Sequence, residues 1–309
     1  MIGKLEMLIA LAKEQHFGRA AASIGVTQPT LSTGIRQLED QLGVKLVQRG
    51  SRYGGLTPEG QRALDWARQI VGDARRLREE MRFTHAGLSG HLRIAVIPTA
   101  LTTASRLAAA FNAEHPNVSF TIRSTTSIDV LNMLDNLDID AGITYLDNEP
   151  LGRVSTAELY RETYTLVCSG AHPLAARDGV DWAELGDERL CLLTPDMQNR
   201  RIINKNFTEA GITPAAYLES NSTVVLVSQV QHGSSVTVLP DDIAHFLTAG
   251  TGLKVIPIRQ KPEGHAVGLV APYQEPHTPV LKALLEMAHK LAAGRGKRRL
   301  TAAKAARAE

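Results

Sequence analysis

The segment that most constrains this chain is 16–42, HFGRAAASIGVTQPTLSTGIRQLEDQL, which has the pattern of two short helices joined by a tight turn. Gly25 lies where the turn needs a positive φ, and Ala20 and Ala21 give the first helix a small apolar face. Thr27 is a preferred N-cap for the second helix, and a proline follows in its first turn, where a missing amide hydrogen costs little. The sequence therefore predicts a helix-turn-helix.

The second helix of this pair has one apolar and one polar face. Leu31, Ile35 and Leu38 recur at helical spacing and face inward, so the polar side chains between them face outward. Such a face suits a helix that enters the major groove of DNA, whereas a solvated hairpin without a nucleic-acid partner is the alternative. The predicted DNA contacts on this helix and its cap are Thr27, Gln28, Pro29, Thr30, Ser32, Thr33 and Arg36.

The next segment, GVKLVQRGSRYGGLTPEG, predicts a small β-hairpin. Two short apolar runs flank a glycine-rich tip, and Gly54 and Gly55 permit the positive φ values of a tight connection. Arg49 and Arg52 lie near this tip, where a side chain can enter a narrow minor groove or contact a phosphate. We add both to the predicted DNA contacts, with a solvated charge as the alternative for Arg52.

A long helix follows the hairpin. Thr57 and Pro58 repeat the signal of a cap followed by proline, and a helix from there to about residue 86 spans roughly 40 Å. An apolar stripe along it, with charges of both signs elsewhere, is typical of a helix that pairs with another chain, and packing on its own domain is the alternative. The stripe comprises Leu64, Ala67, Val71, Ala74 and Met81, with Leu77 beside it.

This block resembles the DNA-binding segment of the LysR-type transcriptional regulators. Two positions depart from the family pattern: Val47 stands where phenylalanine is usual, and His16 stands where serine is more common. Neither departure removes a group that faces the groove. The resemblance is carried, in the family's order and spacing, by Phe17, Ala20, Ala21, Gln28, Pro29, Ser32, Ile35, Leu38, Glu39, Leu42, Gly43, Leu46, Arg49, Leu56, Thr57 and Gly60.

The resemblance implies a division of the first third of the chain. We expect a winged helix-turn-helix over 1–57, a linker helix over 58–87 that pairs two chains, and a hinge over 88–91. Pairs of dimers are then expected to form tetramers through the remaining domain.

Composition and charge are typical of a globular protein whose segments have different functions. Of 309 residues, 43% are hydrophobic and 21% are charged, which is enough for two or three cores. The net charge is +4 over 1–90, −8 over 91–289 and +6 over 290–309, a distribution that favours phosphate contacts at the front. No signal segment or apolar run of about 18 residues is evident, so we expect a cytoplasmic protein without membrane contact.

From residue 92 onward, strands and helices alternate in two successive sets, which predicts parallel α/β sheets in two lobes. The stretches IPTALTT, DIDAGIT, HPLA and GSSVTVLP resemble the effector-binding domain of the same family, whose fold is similar to periplasmic binding proteins and holds a small molecule, often an anion, between its lobes. The overall class is thus α+β. We expect an effector domain over 92–291, lobe I over about 92–161 and 266–291, lobe II over about 162–265, and a disordered basic tail over 292–309.

Hydroxyl side chains follow three of the predicted strands. Free amides and hydroxyls at the start of helices favour an anion, although capping of the helix is the alternative for each threonine. Arg200, in the other lobe, is suited to neutralise a carboxylate, with a surface ion pair as the alternative. The predicted effector contacts are Thr99, Thr102, Thr126, Ser127, Thr144 and Arg200.

The two cysteines, Cys168 and Cys191, lie in apolar stretches. Some regulators of this type sense oxidants, but thiols in apolar strands are usually inert, and no nearby residue in the sequence would lower their pKa. We expect two core thiols, with a redox switch as the alternative.

No sequence motif of an enzyme is evident: there is no nucleophile elbow, no phosphate-binding loop and no metal-ligand spacing among the ten histidines. We therefore expect no enzymatic activity, no cofactor and no metal. We expect a regulator of promoter bending and transcription, whose partners are double-stranded DNA, a small organic-acid-like effector and RNA polymerase. An architectural DNA-binding protein whose large domain only oligomerises is the alternative.

The sequence does not identify the effector, the operator, or the sign of regulation. The stretches DIDAGITYLDNEPLGR and CLLTPDMQNRRIINKNF resemble members of the family that lie beside formate dehydrogenase operons. That resemblance implies one-carbon metabolism.

Overall fold

The computed structural model describes residues 1–48, 53–86, 88–147, 150–259, 264–273 and 276–305. It confirms the α+β architecture, with a helical N-terminal domain, a long helix and two mixed sheets. The helices before the first sheet are α1 (Ile2–Glu14), α2 (Phe17–Ser23), α3 (Gln28–Leu42) and α4 (Pro58–Ala86).

The helix-turn-helix forms because each helix start and the turn carry suitable residues. Thr27 caps α3 by accepting a hydrogen bond from the Thr30 amide at 3.3 Å, and Gly25 has a φ of 69°. His16 caps α2, because its Nδ1 accepts hydrogen bonds from the amides of Gly18 at 3.1 Å and Arg19 at 3.3 Å. The histidine at this position thus supplies the N-cap of α2.

The wing after α3 is a short antiparallel pair formed by Val47 and Leu56. It is pressed against the start of α4, since a Cβ added to Gly60 would lie 2.0 Å from the Leu46 carbonyl oxygen. Only glycine permits this close approach. The tip that carries Arg49 and Arg52 lies outside the described residues.

A buried carboxylate on α3 holds the base of the wing. Glu39 Oε1 accepts hydrogen bonds from the amides of Leu46 at 2.9 Å and Val47 at 3.3 Å, and Oε2 accepts one from Lys45 Nζ at 3.0 Å. Burial alone would raise the pKa of Glu39, but the Leu46 amide, then the Lys45 ammonium and the Val47 amide, lower it below its ordinary value. The Glu39 carboxylate therefore connects α3 to the wing through hydrogen bonds.

Only part of the predicted apolar stripe of α4 remains exposed for pairing with another chain, which corrects the single seam expected from its periodicity. Leu64, Ala67 and Val71 are buried in the core of the N-terminal domain, where α4 packs on α1. The alternative of packing on its own domain is correct for this part of the helix. A second stripe, rotated around the helix, stays exposed and consists of Trp66, Ile70, Leu77 and Met81.

The remaining chain forms two five-stranded sheets with helices packed on them. Lobe I has the strand order β2-β1-β3-β10-β4 and lobe II the order β7-β6-β8-β5-β9. Lobe I contains β1 (Gly90–Val96), α5 (Leu101–Glu114), β2 (Val118–Ser124), α6 (Ser127–Asp135), β3 (Ala141–Tyr145), β4 (Val154–Glu162), β10 (His265–Pro272) and α10 (Pro279–Ala305). Lobe II contains β5 (Tyr164–Ser169), β6 (Leu190–Leu193), α7 (Gln198–Glu209), β7 (Ala216–Ser220), α8 (Thr223–His232), β8 (Val236–Pro240), α9 (Asp241–Thr248) and β9 (Leu253–Pro257).

Both sheets are mixed rather than purely parallel as the alternation of elements predicted. In lobe I, β10 runs antiparallel to both β3 and β4, and in lobe II, β5 runs antiparallel to both β8 and β9. The cause is the chain's double crossing between lobes, from β4 into β5 and from β9 back into β10.

The last helix is longer than the sequence predicted. α10 continues to Ala305, although disorder was expected from residue 292. The stretch is rich in alanine, lysine and arginine, which are strong helix formers, and it contains no proline to stop the helix, although two glycines lie within it. Among the described helices, none combines the length and the apolar character that a membrane span requires.

We predict that Glu39→Gln lowers the free energy of unfolding of the full chain at pH 7 by about 1–3 kcal/mol, because hydrogen bonds to a buried charge are lost. The folded-state pKa is below the unfolded-state value, so this contribution is present above the unfolded pKa of about 4.5 and is lost as the pH falls. Urea denaturation at pH 7 and at lower pH measures both effects. Asp40→Asn, at an exposed position of the same helix, is the control, and equal losses for both variants would contradict the assignment.

Candidate DNA interface and interlobe cleft

The outward face of α3 is accessible, as its pattern predicted. Leu31, Ile35 and Leu38 are buried beneath it. Six predicted contacts are exposed, and the seventh, Ser32, is half-buried. The exposed ones are Thr27, Gln28, Pro29, Thr30, Thr33 and Arg36.

The ends of three lobe I strands converge at one point, as expected for the effector site. The Ile97 amide after β1 donates to the Ile143 carbonyl of β3 at 3.1 Å, and the Thr125 amide after β2 donates to the Val96 carbonyl of β1 at 3.0 Å. Side chains that follow these strands therefore share one edge of the sheet. That edge faces lobe II across a cleft.

A cavity of about 440 Å³ opens in this cleft, with walls from both lobes. Thr126 caps α6 by accepting from the Asp129 amide at 3.1 Å, and α8 begins at Thr223 on the opposite wall. Two helix N-termini thus face the cavity, and each carries amides and a positive dipole end. Its polar lining residues are Ser124, Thr125, Thr126, Asp129, Asp196, Asn221, Ser222 and Thr223.

Several buried polar side chains near the strand ends retain unused hydrogen-bonding capacity. Among the residues that the structure describes, the hydroxyls of Thr99, Ser127 and Thr144 have no partner of good geometry. Neither end of the Gln198 amide at the start of α7 has one. Buried polar groups in this state need a ligand or water to satisfy them, so they favour a binding site.

Two predicted effector contacts have other partners. Arg200 is buried and donates to the Leu193 carbonyl at 2.7 Å, to Glu219 at 2.7 Å and to Asn204 at 2.8 Å. Its guanidinium therefore ties α7 to β6 and β7, which corrects its assignment as a partner for an effector carboxylate. The sequence of α7 did not reveal this, because two of the acceptors, Leu193 and Glu219, come from β6 and β7.

Thr102 is the second of these residues, and it bridges the two lobes. Its hydroxyl donates to Asp242 of α9 at 3.2 Å, and Arg106 also pairs with Asp242. α5 of lobe I is thereby connected to α9 of lobe II. Sequence alone gave no signal of this contact, since its partners are 140 positions apart.

A buried carboxyl lies where the chain crosses from lobe I to lobe II, and sequence analysis missed it. Glu162 is 2% exposed, and its Oε1 accepts hydrogen bonds from the hydroxyls of Tyr145 and Tyr164 and, from lobe II, the Asn199 amide at 3.4 Å. Thr99 lies next to the same carboxyl. Burial raises the pKa of Glu162 to about 7, although these hydrogen bonds lower it.

The cysteines cannot form a disulfide in this fold. β8 lies between β5, which carries Cys168, and β6, which carries Cys191, so the two are separated by two strand spacings of about 9.6 Å in total. A disulfide requires Cα atoms closer than about 7 Å. Both thiols are fully buried, and burial, together with the Glu188 carboxylate, raises the pKa of Cys168 to about 11.

We predict that Glu162 makes the fold less stable as the pH rises from about 5 to about 7. Its folded pKa of about 7 lies above the unfolded value of 4.5, so its contribution is complete below the unfolded pKa and is lost as the pH rises through 7. The difference is of the order of 3 kcal/mol. Urea denaturation across this range should show the slope in the wild type and a flatter dependence in Glu162→Gln.

The control for this measurement is Glu158→Gln, which alters an exposed carboxylate on the same strand. Its pH dependence should match that of the wild type. If Glu162→Gln keeps the full slope, the buried carboxyl is not its source.

Comparisons with known proteins indicate the same family for both parts of the chain. Residues 2–61 match the family model of the bacterial regulatory helix-turn-helix protein, lysR family, and residues 85–293 match the LysR substrate binding domain. The DNA-binding transcriptional dual regulator OxyR of Escherichia coli K12 is 32% identical, covering 77% of this chain and 78% of OxyR. The regulator XapR of the same strain is 27% identical, covering 83% and 87%.

Among solved structures, a full-length OxyR variant from Pseudomonas aeruginosa is 27% identical and covers 93% of this chain and 94% of its own, with a TM-score of 0.71. The family models place a DNA-binding helix-turn-helix at the front and a domain for a small-molecule effector behind it. The relatives are regulators and not enzymes. The chain is a transcriptional regulator of the LysR family.

Proposed function

We propose that this regulator binds an operator as a dimer, responds to a small organic anion in the interlobe cleft, and changes the bend of promoter DNA when the anion binds. The cavity between two facing helix N-termini is the observation that carries this proposal. Ligand binding shifts the equilibrium between lobe arrangements and thereby the arrangement of the DNA-binding domains. The protein acts in the cytoplasm, where its DNA is, and affects RNA polymerase at the promoter.

In the proposed site, backbone amides and hydroxyl groups bind the anion, and no positively charged side chain takes part. No lysine or arginine lines the cavity in the part of the chain that the structure describes, and the carboxylates of Asp129 and Asp196 are among its lining residues. Recognition then depends on the two helix N-termini and on hydroxyls that line the cavity, such as those of Thr125 and Thr126, which suits a small singly charged carboxylate. Formate belongs to this class and agrees with the sequence resemblance to regulators beside formate dehydrogenase operons.

The proposed dimer uses the exposed stripe of α4. Trp66 is 64% exposed and Leu77 is 60% exposed, although both are large and apolar. An antiparallel or parallel pairing of two such helices would bury both stripes in one seam. Two recognition helices would then reach successive major grooves, about 34 Å apart.

Pairs of dimers are proposed to assemble through the effector domains. Exposed apolar side chains lie on β2 and α6 of lobe I and on β7 and α8 of lobe II. Contacts between these faces of neighbouring chains would cover them. The residues concerned are Ile122, Ile128, Tyr217, Val224 and Val225.

We predict that Gln28→Ala combined with Ser32→Ala abolishes specific operator binding, because the side chains that reach base edges are lost. Each specific base contact contributes roughly 1–3 kcal/mol of discrimination. Operator fragments selected from a random duplex library by the wild type provide the probe, and fluorescence anisotropy gives the affinity. Gln231→Ala, on the exposed end of α8, is the control; unchanged affinity in the double variant would contradict the assignment of α3.

We predict that sodium formate or another small carboxylate raises the melting temperature of the wild type. An anion at 100 times its dissociation constant adds about 2.7 kcal/mol to the free energy of unfolding. Thr125→Val, which removes one hydroxyl that lines the cavity without a change of size, should lose part of this gain and keep operator binding.

The control for the anion test is Thr156→Val on the exposed face of β4. A panel of formate, acetate, glycolate, lactate and malate, with chloride as the salt control, covers the proposed class. No stabilisation by any member would favour the architectural alternative, in which the large domain only oligomerises.

A further inference from the structure

The turn that follows α6 contacts the DNA-binding domain of the same chain. Asp138 pairs with Lys13 of α1 at 2.8 Å. The Asn136 side-chain oxygen accepts a hydrogen bond from Arg68 of α4 at 2.9 Å. Residues of lobe I thus reach two helices that lie more than 60 positions away in the chain.

Leu137 is the centre of this turn and has an unusual backbone. Its φ is 59°, a left-handed conformation that glycine normally occupies immediately after a helix. In this conformation its carbonyl accepts hydrogen bonds from Arg75 of α4 at 2.8 Å and from Arg93 of β1 at 3.3 Å. Its side chain packs against the core of the N-terminal domain. A strained leucine in place of glycine indicates that this contact has a use beyond ending the helix.

The other end of α6 lies at the interlobe cavity. Thr126 caps the helix there, and Asp129 in its first turn lines the cavity opposite residues 221–224 of lobe II. The helix has nine residues, so only about 13 Å separate its two ends. One short element therefore contacts both the effector cleft and the DNA-binding domain.

α6 is packed so closely that it is expected to move as one body. Val130 and Leu134 are buried against β1, β3 and β10. A Cβ added to Gly142 of β3 would lie 2.3 Å from Val130 Cγ1, so no side chain separates helix from strand. Displacement of the first turn at the cleft is transmitted to the last turn because the helix cannot be compressed between them.

We infer that Asn136, Leu137 and Asp138 form a latch through which α6 transmits the state of the effector cleft to the DNA-binding domain. The latch fixes α1 and α4 relative to lobe I when it is closed. A ligand that shifts the first turn of α6 opens or tightens it. This inference goes beyond the proposed function, since it assigns the route of coupling and not the ligand.

The first test needs neither ligand nor DNA. Hydrogen–deuterium exchange of the full-length chain is measured for the wild type, Asp138→Lys, Lys13→Asp and the double charge swap. We expect the amides of α1 to exchange faster in each single variant, by up to about fivefold for an exposed ion pair, and to recover in the double variant. The matched control reverses Lys290 and Glu114, an exposed pair confined to the effector domain, and should leave α1 unchanged.

A further variant, Leu137→Gly, distinguishes a latch from a turn that only completes the fold. Glycine adopts the same backbone without strain, so α6 itself should keep its protection, while α1 and α4 lose an apolar contact and exchange faster. The inference is overturned if α1 exchanges alike in the wild type, in Asp138→Lys and in Leu137→Gly.

The second test uses a 40-base-pair random-sequence duplex at low salt as the probe. Coupling between two sites is reciprocal, so DNA bound to α3 should alter exchange in the first turn of α6 in the wild type and not in the latch variants. Protection of α3 without any change in α6, or with the same change in Leu137→Gly, overturns the latch. Absence of protection on α3 would instead contradict the proposed DNA-binding role, and the first test still decides the latch.

Discussion

The two lobes of the effector domain are joined around one buried carboxyl, Glu162, whose hydrogen bonds come from both lobes. The carboxyl stands at the last position of β4, immediately before the chain crosses to lobe II. It accepts hydrogen bonds from Tyr145 of lobe I and Asn199 of lobe II. The hydrogen bonds to Oε1 favour this arrangement of the lobes, because another arrangement would leave that buried oxygen without its donors. The cleft that opens beside it therefore has a defined shape.

The same carboxyl connects stability to protonation near neutral pH. Burial raises the pKa of Glu162 to about 7, so folding favours its neutral form. As the pH rises through this value, deprotonation places a negative charge where the chain crosses between the lobes.

Elements with strong local signals could be predicted from the sequence, whereas contacts between distant segments could not. The cap at Thr27, the positive φ of Gly25 and the burial of Leu31, Ile35 and Leu38 all follow from residue type and spacing within one segment. The α4 stripe shows where this approach fails. The helical spacing of its apolar residues is evident in the sequence. Which of them pack on α1 and which stay exposed depends on where α1 packs, and no local pattern specifies that.

The candidate site shows the same division. Hydroxyls after three strands indicated the cleft edge, and the hydrogen bonds from Ile97 and Thr125 bring those strand ends together. Arg200 was misassigned because a free guanidinium and one held by Leu193 and Glu219 look identical in sequence. Glu162 gave no signal, since a single glutamate in a strand is usually solvated.

The sequence by itself determined the family, the helix-turn-helix, the order of elements and the presence of two lobes, because these follow from short-range periodicity, caps and motif spacing. Only the tertiary structure decided which α4 stripe is exposed, which polar groups are buried at the cleft and how the turn at Leu137 reaches the DNA-binding domain. These features depend on contacts between residues tens to hundreds of positions apart. Such contacts arise when buried groups satisfy one another in three dimensions, and no local pattern encodes the pairing.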